Sequence, residues 1–344
     1  MARTRELENK ILAAVIREYI TTAQPVSSKV IVEKYIPNIS PATVRNVMSD
    51  LERKGVLTHP FTSSGRIPTN SGYKYYVDTL MSRKEPDKEL LSLIDEQINQ
   101  TPSDIEMLLN LTSRLLGTLT DEVGVAMTPV FMKGIVDDIQ LIELAGDRLL
   151  LVFQIENGLV KTVMVETHHQ MNGSQLSFIR YFFKELFVGY NLYSMKQKLD
   201  RYLSHVPVQE RGLVELICHQ IEQQMIPRIH TSRNFNFLDK PEFREPANSA
   251  VLQLLKTDGW MLRLRSRMIN RLNSDGFTLF TGDDIDFVSG SNCSVIMSGF
   301  TLGNLDGTLA VVGPSRMDYD YIIPLLGFIN RKMNDKMHKM TDKE

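Results

Sequence analysis

The sequence predicts an α+β multidomain protein: an N-terminal winged helix-turn-helix, then a mixed α/β body carrying an inserted, mainly helical domain. Three observations predict it. Residues 3 to 81 hold short amphipathic helical patterns, then a turn-rich hairpin running into Gly65-Arg66-Ile67-Pro68. Strand-like runs lie on both sides of a long helical stretch, at 139–165 and again at 277–312. A chain of 344 residues is long enough for two or three domains with an ample core.

The first helix is expected over Glu6 to Ile20, where Leu7, Ile11, Leu12, Val15, Ile16 and Tyr19 recur at three- and four-residue steps. Pro25 ends the following turn, because the residue before a proline avoids helical angles. Ser27 or Ser28 can cap a second helix reaching about Tyr35. Ser40 and Pro41 then open a third, as N-cap and first helical residue. Its apolar stripe is Val44, Val47, Met48 and Leu51. Ala42, Asn46, Ser49 and Arg53 fall on the opposite face, Arg45 flanks it, and Ser40 and Thr43 stand at its start. Small and polar residues suit a groove: arginine reaches guanine edges or phosphates, asparagine pairs with adenine, alanine touches a thymine methyl.

After Gly55, Val56-Leu57-Thr58 reads as a strand and His59 to Ile67 as a hairpin. Ser63, Ser64, Gly65 and Arg66 make its tip and Thr69 its exit. A tip with one arginine among small residues can lie on a phosphate backbone. A fourth helix, Gly72 to Met81, presents Tyr73, Tyr76, Val77 and Leu80 to a core or a domain contact. Residues 1–83 hold twelve Lys+Arg against seven Asp+Glu, about +5, whereas the whole chain is −2. A basic head on an acidic body points to a polyanionic partner.

Beyond a charged linker at Arg83 to Lys88, helices are expected at Glu89–Asn99 and Ser103–Leu119, and strands at Ile139–Leu144, Arg148–Ile155 and Leu159–Val165. Gly146-Asp147 and Asn157-Gly158 are their turns. Helix returns from Ser174 to about Pro227. One broad apolar stripe holds Phe178, Tyr181, Phe182, Leu186 and Phe187. Helices near Ala247–Lys256 and Met261–Leu272 come next, then strands at Phe277–Phe280, Cys293–Phe300 and Gly307–Val312, and a last helix over Tyr319–Met337. Tyrosine and phenylalanine on an insertion without a large core of its own would be buried against a second subunit. Periodicity fits an intramolecular helical core equally well.

No enzyme site assembles. His168-His169 and Cys218-His219 are adjacent residues whose side chains diverge, without zinc spacing, so no metal is expected. Gly313-Pro314-Ser315-Arg316 lacks the second glycine of a nucleophile elbow, and no P-loop occurs, so no cofactor is expected. Met333, Met337 and Met340 pad a helix face. With no apolar run of roughly 20 residues, no signal-peptide pattern and no disulfide framework in Cys218 and Cys293, a cytoplasmic protein is expected.

Several runs together carry a specific resemblance. They are Tyr19-Ile20-Thr21-Thr22, Pro25-Val26, Ser40 to Asn46, Asp50-Leu51-Glu52, Ser63 to Thr69, Gly72-Tyr73 and Tyr76-Val77-Asp78, with Gly313 to Tyr319 far downstream. The chain resembles the HrcA family of bacterial heat-inducible transcription repressors over nearly its whole length. It departs where Ala23 and Ser27 replace usual glycines, where Val47 replaces an acidic residue, and around Gly282-Asp283-Asp284.

The resemblance implies a DNA-binding domain over 1–83, a linker helix over 84–102, a GAF-like domain from 103–170 and 246–344, and a dimerisation domain inserted at 171–245. It also implies a homodimer on an inverted-repeat operator upstream of chaperone operons, with chaperonin maintaining the active repressor. Two rivals are a regulator gated by a small molecule in the GAF-like body and a DNA-binding enzyme of biotin-ligase type. For the second, no glycine–arginine loop or catalytic lysine context is present. Arg316 and Asp318 are expected to act structurally, as a domain-contact arginine and a helix cap.

Overall fold

The structure is a computed structural model. It describes residues 2–60, 65–144, 147–156, 159–168, 170–232, 240, 259–268, 276–285 and 292–341. Ser63 and Ser64, the turn residues Gly146, Asn157 and Gly158, the helix expected at Ala247–Lys256 and the end of the one expected to Leu272 lie outside them.

The chain begins with α1 (Ala2–Thr22), α2 (Ser28–Lys34) and α3 (Pro41–Arg53). Ile11, Leu12, Val15 and Ile16 of α1 join Ile31 of α2 and Val44, Val47, Met48 and Leu51 of α3 in the buried core. Ser27 caps α2, accepting the Val30 N–H at 3.3 Å. Ser40 caps α3, accepting the Thr43 N–H at 3.1 Å, with Pro41 at the first helical position. Two short antiparallel strands follow, β1 (Leu57–Thr58) and β2 (Ile67–Pro68), then α4 (Asn70–Tyr75), which a π turn extends over Tyr76–Leu80.

Ala23 closes α1 in the left-handed region, φ +52°, with its N–H on the Tyr19 carbonyl at 2.9 Å. A Cβ costs roughly 1–2 kcal/mol in that conformation, against a smaller entropic cost for glycine. Ala23→Gly should therefore stabilise the protein by about 0.5–1 kcal/mol. Urea unfolding checks this, and an unchanged midpoint would contradict the helix ending.

After α5 (Lys88–Gln100) and α6 (Ile105–Thr120), β3 (Val123–Met127) enters a five-stranded antiparallel sheet. Its order is β7-β3-β10-β9-β8, with β7 (Ile229–Thr231), β8 (Phe277–Thr281), β9 (Cys293–Leu302) and β10 (Leu305–Pro314). Both faces are covered. Val125, Met127, Val295, Met297, Ala310 and Val312 face Trp260, Met261 and Leu264 of α10 (Gly259–Met268). Ala126, Ile296, Leu309 and Val311 face the core shared with α6 and with α11 (Tyr319–Thr341).

The second sheet corrects the expected partition. β4 (Val136–Glu143), β5 (Arg148–Ile155) and β6 (Leu159–Glu166) form a separate antiparallel meander, with no ladder to the five-stranded sheet among the described residues. They pack on α7 (Gly173–Phe187) and α9 (Val208–Gln224), with α8 (Leu192–Leu203) between. The unit inserted between β3 and β7 is thus itself α/β and includes the strands that had been placed in the body.

The edge strand β6 is sealed by side chains. Gln220 of α9 donates to the Glu166 carbonyl at 2.8 Å and accepts its N–H at 2.9 Å. Gln224 does the same at Met164, at 2.5 and 3.2 Å.

The insert also corrects the expected dimer contact. Phe182, Leu186 and Phe187 are buried within the single chain, and Phe178 packs partly buried beside them. Phe153 meets Phe187 edge-on at 5.2 Å between ring centres. Only Tyr181 of the five candidates stands out, 68% exposed. The stripe is chiefly an intramolecular core, because the meander supplies the apolar face it needs.

Candidate nucleic-acid interface

α3 turns Val44, Val47, Met48 and Leu51 inward. Its opposite side carries Ala42, Thr43, Arg45, Asn46 and Arg53, all exposed, with Ser49 half-buried. Ser40 and Thr43 are joined through their hydroxyls at 2.9 Å and serve the cap. Arg53 is paired with Asp50, one turn back on its own helix. No hydrogen bond or ion pair joins Arg45 or Asn46 to any described residue. Both are exposed donors of the helix that nothing described in the chain engages.

Several other cations on this head are paired. Lys54 reaches Glu8 at 2.6 Å, Lys34 reaches Glu18 at 2.6 Å, and Lys10 reaches Glu6 at 2.7 Å. The Lys10–Glu6 pair is exposed on both sides and contributes little to stability.

The hairpin differs from the expected free wing tip. Arg66 sits at its base, 23% exposed, with Nε 2.8 Å from Glu52 of α3. His59 holds the other oxygen of Glu52. The Arg66 backbone pairs with Val26 in both directions, at 2.8 and 2.9 Å. Gly65 fits there because a Cβ would overlap the Val26 carbonyl. Thr69 caps α4 through the Gly72 N–H at 3.1 Å and donates to the Gly55 carbonyl at 2.6 Å. Arg66, Gly65 and Thr69 therefore fix the hairpin against α3 and the α1–α2 turn. The sequence shows Arg66 as a charge, but its partner lies 14 residues upstream on another element.

No group of three or more His, Cys, Asp or Glu suited to a metal occurs among the described residues. Cys218 and Cys293 are free and buried, and burial pushes both thiols up to about 12. Arg316 donates to the Ile20 carbonyl near the end of α1 at 3.4 Å. The Asp318 carbonyl starts α11 by accepting the Ile322 N–H at 2.9 Å, and its carboxylate lies 3.8 Å from Lys84. Asp284, in the segment that departs from the resemblance, is 2.7 Å from Lys74 of the head. No described helix is long and apolar enough to cross a membrane.

The family model for the HrcA protein C-terminal domain matches residues 106–323. A heat-inducible transcription repressor HrcA of Symbiobacterium thermophilum is 32% identical over 95% of this chain and 97% of its own length. Its namesake from Geobacter sulfurreducens is 31% identical over 95% and 96%. A crystal structure of a protein described as hypothetical shares the fold, with a TM-score of 0.57 at 20% identity, covering 97% of this chain and 98% of that one. The chain belongs to the HrcA family, the family of the heat-inducible transcription repressors.

Proposed function

We propose that this protein is a sequence-specific DNA-binding repressor whose first 83 residues form a winged helix-turn-helix. In this reading α3 enters the major groove, and the hairpin from β1 to β2 is the wing that lies along the backbone. The observation that carries it is the outward pair Arg45 and Asn46, exposed and unengaged by any described residue on a helix whose other face is buried. Arginine and asparagine are the side chains whose donors best match guanine and adenine edges. The family's printed name supports transcriptional repression induced by heat. We extend the reading to a cytoplasmic homodimer on an inverted-repeat operator of chaperone genes, its body a GAF-like domain and its active form maintained by chaperonin.

The test is a gel shift on an inverted-repeat operator, across temperature and with and without chaperonin. Arg45→Ala and Asn46→Ala should each weaken binding by about 1–3 kcal/mol and relax preference at one base pair. Arg66→Ala should lower affinity at every sequence alike, by loosening the hairpin from Glu52. If the Arg45 and Asn46 variants both bind as the parent does, α3 is not the reading helix.

One observation favours ligand gating as a second reading. A cavity of about 290 Å³ lies between the linker and α11, lined by residues including Arg83, Leu91, Phe277, Phe328 and Arg331. A small organic acid that raises the melting temperature and changes operator affinity in parallel would support it.

A further inference from the structure

The contact between the head and the body converges on one residue of α11. Asp320 is 3% exposed and lies in the first turn of that helix. Its carboxylate accepts the Tyr76 hydroxyl at 2.7 Å and the Ser82 hydroxyl at 3.4 Å, and lies 3.4 Å from Arg17 Nε. Arg17 in turn donates through Nε to the Tyr76 oxygen at 3.1 Å and through Nη2 to Ser82 at 2.8 Å. Every side chain in this ring other than Asp320 comes from α1, the turn after α4, or the start of the linker. A buried carboxylate is costly unless charge and hydrogen bonds meet it. Here the helix N-terminus supplies part of that compensation and the head supplies the rest.

The backbone of the same residue makes a second tie. Pro324 stands four residues on, inside α11. It has no N–H to give the Asp320 carbonyl, so the helix leaves that oxygen without its usual donor. The Lys84 N–H takes the place at 2.9 Å. A proline in a long helix, which would ordinarily be a defect, thus creates a socket for the linker. The socket adjoins the carboxylate that holds Tyr76.

We propose that Asp320 is the positioning residue of the head: its side chain fixes the angle of α1 and α4 on the body, and its carbonyl, freed by Pro324, fixes the linker. It touches no DNA. It acts through Tyr76, Arg17 and Lys84, and it sets where α3 points relative to the body. Nearby ties, Arg316 to the Ile20 carbonyl, Lys74 to Asp284 and the Tyr73–Tyr319 ring contact at 5.8 Å, keep the head attached when this one opens. Its consequence for operator choice rests on the DNA-binding reading above, whereas its consequence for head geometry does not.

The test uses the full chain with Asp320→Asn, Tyr76→Phe and Pro324→Ala, each alone, and with the first two combined. Amide exchange across residues 82–86 should quicken at least tenfold in each single variant, while α3 and β9–β10 exchange at the parent rate. Tyr76→Phe combined with Asp320→Asn should change exchange by less than the sum of the two alone, since the two side chains share one hydrogen bond. On DNA, each variant should bind a single half-site within twofold of the parent. Each should also lose most of the parent's preference for one half-site spacing. Unchanged exchange at 82–86 overturns the proposal. So does faster exchange that spreads to α3, which would mean mere loss of stability. If the parent itself binds no inverted repeat, the DNA-binding reading fails and the exchange measurement alone decides this one.

Discussion

Gly72→Ala should destabilise the N-terminal head by about 2–3 kcal/mol, even though alanine normally favours a helix over glycine by about 1 kcal/mol. Gly72 lies in the first turn of α4, and a Cβ there would overlap the carbonyl oxygen of Val56. That oxygen cannot swing aside freely, because it already accepts the Thr69 N–H at 3.2 Å. Thr69 in turn caps α4 and ties down Gly55. One methyl group must therefore displace the hairpin base, the α4 cap and the end of α3 together. Gly212, exposed in α9 with nothing within 4 Å of its virtual Cβ, is the control. Gly212→Ala should stabilise by up to about 1 kcal/mol. Urea unfolding of both variants decides the matter, and two shifts of the same sign would sink the argument for α4.

The second large effect is on the pH dependence of stability. Glu122 immediately precedes β3, against Gly313 at the end of β10, and is 4% exposed. Burial pushes its carboxyl up to about 7 from an ordinary 4.5, against the pull of Lys240 at 2.6 Å. Unfolded, the group gives up its proton near 4.5; folded, it keeps it to about 7. Between those values the native state binds more protons, so stability falls as pH rises through this window. The difference corresponds to about 3 kcal/mol by pH 8. It should show as a declining unfolding free energy in the parent relative to Glu122→Gln, measured from pH 4.5 to 8. Parallel curves for the two proteins would mean that Lys240 keeps the carboxylate charged throughout.

The helices of the head were legible from one-sided apolar stripes at helical spacing, and α2 and α3 also from the serines that cap their starts. Ser40 with Pro41 and the stripe Val44, Val47, Met48 and Leu51 stand where the sequence puts them. β3 gave no such signal. All five residues of Val-Gly-Val-Ala-Met are buried, so nothing alternates, and Gly124 is there because Ser113 and Leu116 of α6 press against it. β4 to β6 were legible as strands but not as a separate sheet. Two tight hairpins specify pairing among neighbours and leave open what covers the face they create. The same gap turned Phe182, Leu186 and Phe187 into interface candidates, since period reveals a sticky face and never its partner. Of the candidate DNA contacts, the outward position of Arg45 and Asn46 was readable from the helical period of the stripe opposite them. Arg66 was not, because Glu52 reaches it only after the chain has folded back.

The seal on β6 has a thermal meaning. A neighbouring strand would protect that edge through its own backbone, and would leave only when a whole sheet came apart. Gln220 and Gln224 protect it with amides carried on a helix, so fraying the last two turns of α9 is enough to lift them off. What is then uncovered is a bare β edge next to the half-exposed Met164 and the exposed Val160, the kind of surface that other chains add to. In this molecule the loss of a little helix and the birth of an adhesive strand are a single event.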